Sequence, residues 1–185
     1  MSDVFISYSR RDIDFVRHLF DQLKARDREA WADWQDISPT ADWLAEIYSG
    51  IEAANTFMFV ISPDSVTSEI CSLEIGHAVK HNKQLVPVMW KDVDDVHQGR
   101  SAHNWVFLRQ EDAFETNFEL LVDALDTDLD YVREHTRLLR SALEWEKNGR
   151  RTCAILRGQE LIVTEGWLAQ SGSKNPQPAN LHQEY

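Results

Sequence analysis

The stretch from Thr56 to Lys80 constrains the fold more than any other part of the chain. It opens on an apolar run, Phe57-Met58-Phe59-Val60-Ile61, with the length and composition of one buried strand. Ser62-Pro63-Asp64-Ser65 then breaks the run with turn-forming residues and a proline that cannot continue a ladder. A helix follows. Cys71, Ile75, Ala78 and Val79 fall at i, i+4, i+7 and i+8 on one face, and Glu74 is expected beside that stripe, not within it. A buried strand, a polar loop and a helix bearing one carboxylate near the strand's carboxyl end outline an α/β ligand site. Helical glutamates are ordinarily solvated, so the local pattern alone gives Glu74 no role.

The rest of the chain repeats the alternation. Val4 to Tyr8 predicts a first strand, Ser9 to Asp12 a polar turn, and Ile13, Val16, Leu19, Phe20 and Leu23 an amphipathic helix. Ala30 to Trp34 predicts a second strand, and Gln35 to Asp42 a loop containing Pro39. Trp43, Leu44, Ile47, Ile51 and Ala54 mark a second helix. Gln84 to Trp90 predicts a fourth strand, whose Pro87 suggests a strand end or bulge. Trp105 to Leu108 predicts a fifth strand, after an irregular segment from Lys91 to His103. Such alternation implies right-handed βαβ units and a parallel sheet covered on both faces. Ligands bind such sheets at the carboxyl ends of the strands.

Beyond Arg109 the pattern becomes helical. Phe114 to Asn148 contains no glycine or proline and reads as one long helix or two, broken near Asp126-Thr127-Asp128. Gly158 to Gln170 predicts another helix, and Ser171 to Tyr185 a flexible tail or linker. The expected organisation is an α/β domain over 1–127, a helical connector over 128–170 and the tail over 171–185. An apolar helix after the α/β domain either folds back on it or pairs with another chain. We also expect a sensor or repeat domain beyond Tyr185.

Charge and motifs narrow the function. The net charge of −12 argues against nucleic acid and against an anionic membrane surface as partners. No apolar run reaches the ~18 residues needed to cross a bilayer, and no signal peptide is evident, so a cytoplasmic setting is expected. Cys71 and Cys153 have no metal-type spacing and fit reduced thiols. His77 and His81 lie at i, i+4, but two neighbouring histidines are more often solvent-exposed than metal-binding, and no metal site is expected. Glycine-rich dinucleotide and phosphate-loop motifs are absent, as is a G-x-S-x-G elbow. A response-regulator receiver needs an acidic pair after strand one and a lysine after strand five. Those places hold Ser7-Tyr8-Ser9 and Leu108-Arg109-Gln110, so that reading is discarded.

Four motifs together carry a resemblance. Asp3-Val4-Phe5-Ile6-Ser7-Tyr8-Ser9 looks like the first box of the Toll/interleukin-1 receptor (TIR) domain family. Asp33-Trp34-Gln35-Asp36-Ile37-Ser38-Pro39 resembles its BB loop. Ser62 to Ser65, Ser68, Cys71 and Glu74-Ile75 resemble its third element, and Pro87-Val88 its fourth. The match spans roughly Met1 to Leu125 and is similar to bacterial TIR modules, including those joined to WD-repeat partners.

The resemblance implies a flavodoxin-like, five-stranded parallel sheet and one of two functions. One is cleavage of NAD+ at the nicotinamide–ribose bond, in bacterial defence or stress signalling and activated by self-assembly. The other is noncatalytic TIR scaffolding through protein–protein interaction. For the first, the resemblance implies Glu74 as catalytic residue and Ser9, Arg10 and Trp43 along the nucleotide. NAD+ is then the substrate, with no further cofactor. Ile70 occupies the position where several catalytic members carry a tryptophan, and Trp43 is a candidate substitute for the nicotinamide contact. Each residue also has a plainer reading. Trp43 fits a core tryptophan, Arg10 a solvated charge, Ser9 a helix cap, and Tyr8 a structural role.

Overall fold

The structure is a computed structural model that describes residues 3–33, 41–93 and 105–185, without the side chains of Ala41 and Asp42. Trp34 and most of the expected 35–42 loop lie outside the described residues, as do 94–104. Five strands form one parallel sheet: β1 (Val4–Ser7), β2 (Ala30–Trp31), β3 (Thr56–Ile61), β4 (Gln84–Met89) and β5 (Val106–Phe107). Their spatial order is β2-β1-β3-β4-β5. The order reverses between β1 and β3, so the crevice for a ligand opens at the carboxyl ends of those two strands.

Strand alternation divides the β1 side chains between two cores. Val4 and Ile6 join Met58, Val60 and Val88 against α1 (Ile13–Ala25), which supplies Val16, Leu19 and Leu23. Phe5 turns to the opposite face, where it stacks on Phe57 at 5.6 Å and on Trp31 at 4.8 Å. There it meets Trp43, Ile47 and Ile51 of α2 (Ala41–Ala53). Helix α2 starts inside the segment expected as loop, at Ala41. By the same alternation Ser7 faces α2's side of the sheet.

Pro87 makes neither a strand end nor a bulge. The β3–β4 register runs unbroken from Thr56 opposite Gln84 to Ile61 opposite Met89, with Phe59 opposite Pro87. Pairing with β5 begins only at Val88, so the missing N–H falls where no ladder exists on that side.

Ser62 to Ser65, expected as a turn, lead into the one-turn helix α3 (Pro63–Val66). Ser62 accepts from the Ser65 N–H, the Ser65 hydroxyl returns to the Ser62 N–H, and Pro63 needs no donor in the first turn. Ser68 caps α4 (Glu69–Lys80) by accepting from the Cys71 N–H at 3.3 Å. The expected stripe on α4 is rotated. Its buried residues are Cys71, Glu74 and Ala78, while Val79 is 52% exposed. Helix α4 therefore buries the Glu74 carboxylate, and a hydroxyl on β1 takes the place of water. The histidines of α4 are also not solvent-exposed. His81 is buried, and desolvation, then His77 beside it, lower its pKa to about 4, leaving the imidazole neutral. The His77 ring stacks on Tyr48 at 4.0 Å.

Helix α5 (Phe114–Asp126) covers the α1 face with Phe118, Leu121 and Leu125. Asp128, at φ 54°, separates it from α6 (Leu129–Lys147). Helix α6 folds back on the α/β body. The Thr136 hydroxyl donates to the Ala54 carbonyl at 3.4 Å and accepts from Lys83 Nζ at 3.0 Å. Its other face forms a third core, in which Tyr131 and Leu138 pack with Leu156 and with Trp167 of α7 (Gly158–Gln170).

The segment expected as a flexible tail is folded. It carries α8 (Asn180–Glu184), and its His182 links Ala179 to α6. His182 Nδ1 accepts from the Ala179 N–H at 2.9 Å, which leaves Nε2–H to donate to the His135 carbonyl at 3.0 Å. Among the described residues, no helix is long and apolar enough to cross a membrane.

Candidate active site

The carboxyl end of β1 carries the site. Ser7, its last residue, points under α4 and donates its hydroxyl proton to Glu74 Oε2 at 2.5 Å. The next residues turn sharply. Ser9 accepts from the Arg11 N–H and caps a single 3-10 turn over Arg10–Asp12. Buried Asp12 ties this turn to the neighbouring strand ends. It accepts from the Ser62 hydroxyl after β3 at 2.5 Å and from Lys91 Nζ after β4 at 2.6 Å. The loop after β1 is thus fixed by charge-assisted bonds at both carboxylate oxygens.

Above Ser7 and Glu74 lies a cavity of about 370 Å³. Ser9, Arg10, Trp43, Ile70 and Glu74, the five candidates named from the sequence, all line it. They come from the β1 loop, the first turn of α2 and the first two turns of α4. Ile70 and Trp43 give it apolar wall, and Arg10 and Arg11 lie at its cationic rim. Two of the plainer readings hold at the same time as the lining positions, while Arg10 is paired with Asp33 and is not simply solvated. Ser9 is a cap, and Trp43 is a core residue of which 8% is exposed.

Asp33, two residues beyond the end of β2, organises the opposite wall. Its Oδ2 accepts from Arg10 Nη2 at 3.1 Å and from Trp43 Nε1 at 3.1 Å. Its backbone carbonyl accepts from the Tyr8 hydroxyl at 2.7 Å. One carboxylate thereby orients the cation and the indole that face the cavity. Tyr8 is structural as well as lining. Burial, followed by the Asp33 charge, pushes its phenol up to about 12, so it stays a donor.

Glu74 is 6% exposed. Desolvation raises its pKa to about 7; the Ser7 hydrogen bond works the other way, and the Asp33 charge adds to the rise. A buried carboxyl whose pKa is raised toward neutrality in a cleft is a functional-site candidate. What it offers chemically is one anion, held by one hydroxyl and enclosed by apolar walls. Such a group stabilises positive charge developing on a bound molecule far better than a solvated carboxylate does.

Sequence reasoning missed Ser7 as the partner of Glu74 and Asp33 as the anchor of Arg10 and Trp43. The signal for Ser7 was available, because it shares the Phe5 face and ends the strand at the topological reversal. Asp33 carried no signal beyond its place in a motif, since its three contacts come from two other elements.

Comparison with known proteins agrees with this architecture. The TIR domain of the Toll-related receptor TRR-2 from Hydra magnipapillata is similar, at 21% identity and a TM-score of 0.55, covering 68% of this chain and 98% of that one. A metazoan TIR-STING receptor from C. gigas, solved in complex with 2′,3′-cGAMP, is similar at 23% identity and a TM-score of 0.53, covering 68% of this chain and 39% of that one. These likenesses concern the fold. No curated protein matches the chain. A family model for the TIR domain matches residues 4–122, which include the sheet and the candidate site, and the chain belongs to the TIR domain family.

Proposed function

We propose that this TIR domain cleaves the bond between nicotinamide and ribose in NAD+, with Glu74 as the catalytic carboxylate. The observation that carries the reading is the buried Glu74, bonded to Ser7 at the floor of a cavity at the β1/β3 reversal. Nicotinamide is a positively charged pyridinium in NAD+ and departs as a neutral molecule, so it needs no general acid. The C1′–N bond breaks with its electron pair going to nicotinamide, and positive charge appears on the ribose ring. Glu74 stabilises that charge or accepts hydrogen bonds from the ribose hydroxyls. Attack by water at C1′ completes hydrolysis and releases one proton. In this reading Trp43 and Ile70 flank the nicotinamide, while Ser9 and Arg10 meet the rest of the dinucleotide. No metal or further cofactor enters the reaction. The setting we propose is cytoplasmic signalling or defence, with other TIR domains as partners.

The test is incubation of the purified chain at high concentration with NAD+, following free nicotinamide. Glu74→Gln keeps the side chain's shape and loses its charge, and is expected to lower turnover by at least about 10²-fold. Turnover unchanged in the variant removes Glu74 from the reaction. A wild type that releases no nicotinamide even when crowded assigns the domain to scaffolding instead.

A further inference from the structure

We propose that Glu52, His77 and His81 form a binding site for a divalent transition-metal ion of the zinc class, which clamps α2 to α4. Their ligand atoms, a carboxylate oxygen and two imidazole nitrogens, lie within 4.8 Å of one another. His77, in the last turn of α4, and His81, its C-cap, stand at i, i+4, the spacing at which two imidazoles reach one ion. The third ligand comes from the last turn of α2, which a sequence reading of the histidine pair alone does not reach.

The geometry is already partly assembled. His77 Nε2 lies 2.9 Å from Glu52 Oε1, and the Tyr48 ring stacks on the His77 ring at an interplanar angle of 4°. The His77 and His81 rings meet edge to face at 4.5 Å. Tetrahedral zinc, with bonds of about 2.0 Å, holds its ligand atoms roughly 3.3 Å apart. In the proposed site the Glu52 and His81 side chains rotate to bring the cluster from within 4.8 Å to that spacing when the ion binds. The neighbouring ammonium does not occupy the carboxylate. Lys83 Nζ is directed to the Glu52 backbone carbonyl at 3.4 Å and to Thr136 at 3.0 Å. The Glu52 side chain is 27% exposed and His77 12%, which gives an ion a path from solvent. Two imidazoles with one carboxylate suit zinc and its neighbours over calcium or magnesium, which take oxygen ligands.

The consequence is mechanical. Helix α2 carries Trp43 in its first turn and Glu52 in its last, and α4 carries Glu74 one turn before His77. An ion at this cluster fixes the two helices that wall the cavity. The test uses the full chain with Cys153→Ser, so that the exposed thiol cannot compete. Cobalt(II) is the spectroscopic probe and zinc the stabilising ion. One equivalent of cobalt is expected to give the visible bands of a four- or five-coordinate site, which zinc then abolishes. Zinc at a hundredfold excess over Kd should raise Tm by about 5–10 °C. His77→Gln should weaken zinc binding by at least about a hundredfold. Glu52→Gln keeps an acceptor for His77, so it protects the fold, and should weaken binding by about ten- to a hundredfold. Absence of visible bands in the wild type, or wild-type zinc affinity in both variants, overturns the site.

Discussion

At the scale of single residues, the Ser7–Glu74 pair concentrates the cost and the use of the site. Burial raises the Glu74 pKa from 4.5 to about 7, and the folded state therefore holds a proton that the unfolded chain has already lost. A raised folded pKa means stability that is fully present below pH 4.5 and is lost as pH rises through about 7. Glu74→Gln removes that penalty. The variant should melt above the wild type at pH 8, by on the order of 2–3 kcal/mol, and near it at pH 4.5. Thermal denaturation at both pH values checks this, and an equal gap at the two would contradict it. The proposed reaction uses the ionised form, so NAD+ cleavage by the wild type is expected to rise with pH through about 7. Ser7→Ala removes the donor that favours the carboxylate. Its rate–pH limb should lie at higher pH than that of the wild type, a change that mere loosening of the fold does not produce.

At the scale of elements, α6 links two cores. Val132, Thr136 and Leu139 form one fully buried stripe, and Thr136 within it bonds to the end of α2 and to Lys83. Tyr131 and Leu138 face Leu156 and Trp167 in a separate cluster. The Trp167 indole donates to the Tyr131 carbonyl at 3.2 Å, which pins α7 to α6. Removing Asp128 to Tyr185 uncovers Lys83 and the carbonyl of Ala54, but leaves both cores of the sheet intact. The shortened chain should keep its α/β circular dichroism and melt roughly 5–15 °C lower. Loss of the α/β signal would show that α6 belongs to the same cooperative unit as the sheet.

At the scale of the whole molecule, the cavity of about 370 Å³ is small for a dinucleotide. It stands at the low end of the roughly 300–1,000 Å³ that ligand pockets occupy. We expect a neighbouring copy to complete the site for the rest of the dinucleotide. Specific NAD+-cleaving activity should then fall on dilution, because mass action governs the assembled fraction. Asp36→Arg is expected to flatten that dependence more than it lowers Tm. Constant specific activity over a hundredfold dilution would mean that one chain suffices.

Much of this was legible from residue order alone. The apolar run at Phe57–Ile61, the helical stripe of α1 and the boxes after β1 and β3 fix the α/β class, because strand and helix periods are local properties. The family resemblance pointed to Ser9, Arg10, Trp43, Ile70 and Glu74, and the fold places all five on one cavity. Tertiary structure decided everything that depends on partners distant in sequence. The buried rotation of α4 requires Ser7 from β1, 67 residues away, to satisfy Glu74. The orientation of Trp43 requires Asp33, and the burial of Lys83 requires Thr136. The polar composition of Ser171 to Tyr185 suggested a free tail, yet His182 satisfies both ring nitrogens there and docks α8 on α6. Local pattern reports which face of an element is apolar. Whether a polar group on it can be buried depends on a complementary donor or acceptor arriving from elsewhere, and only the packed chain supplies that.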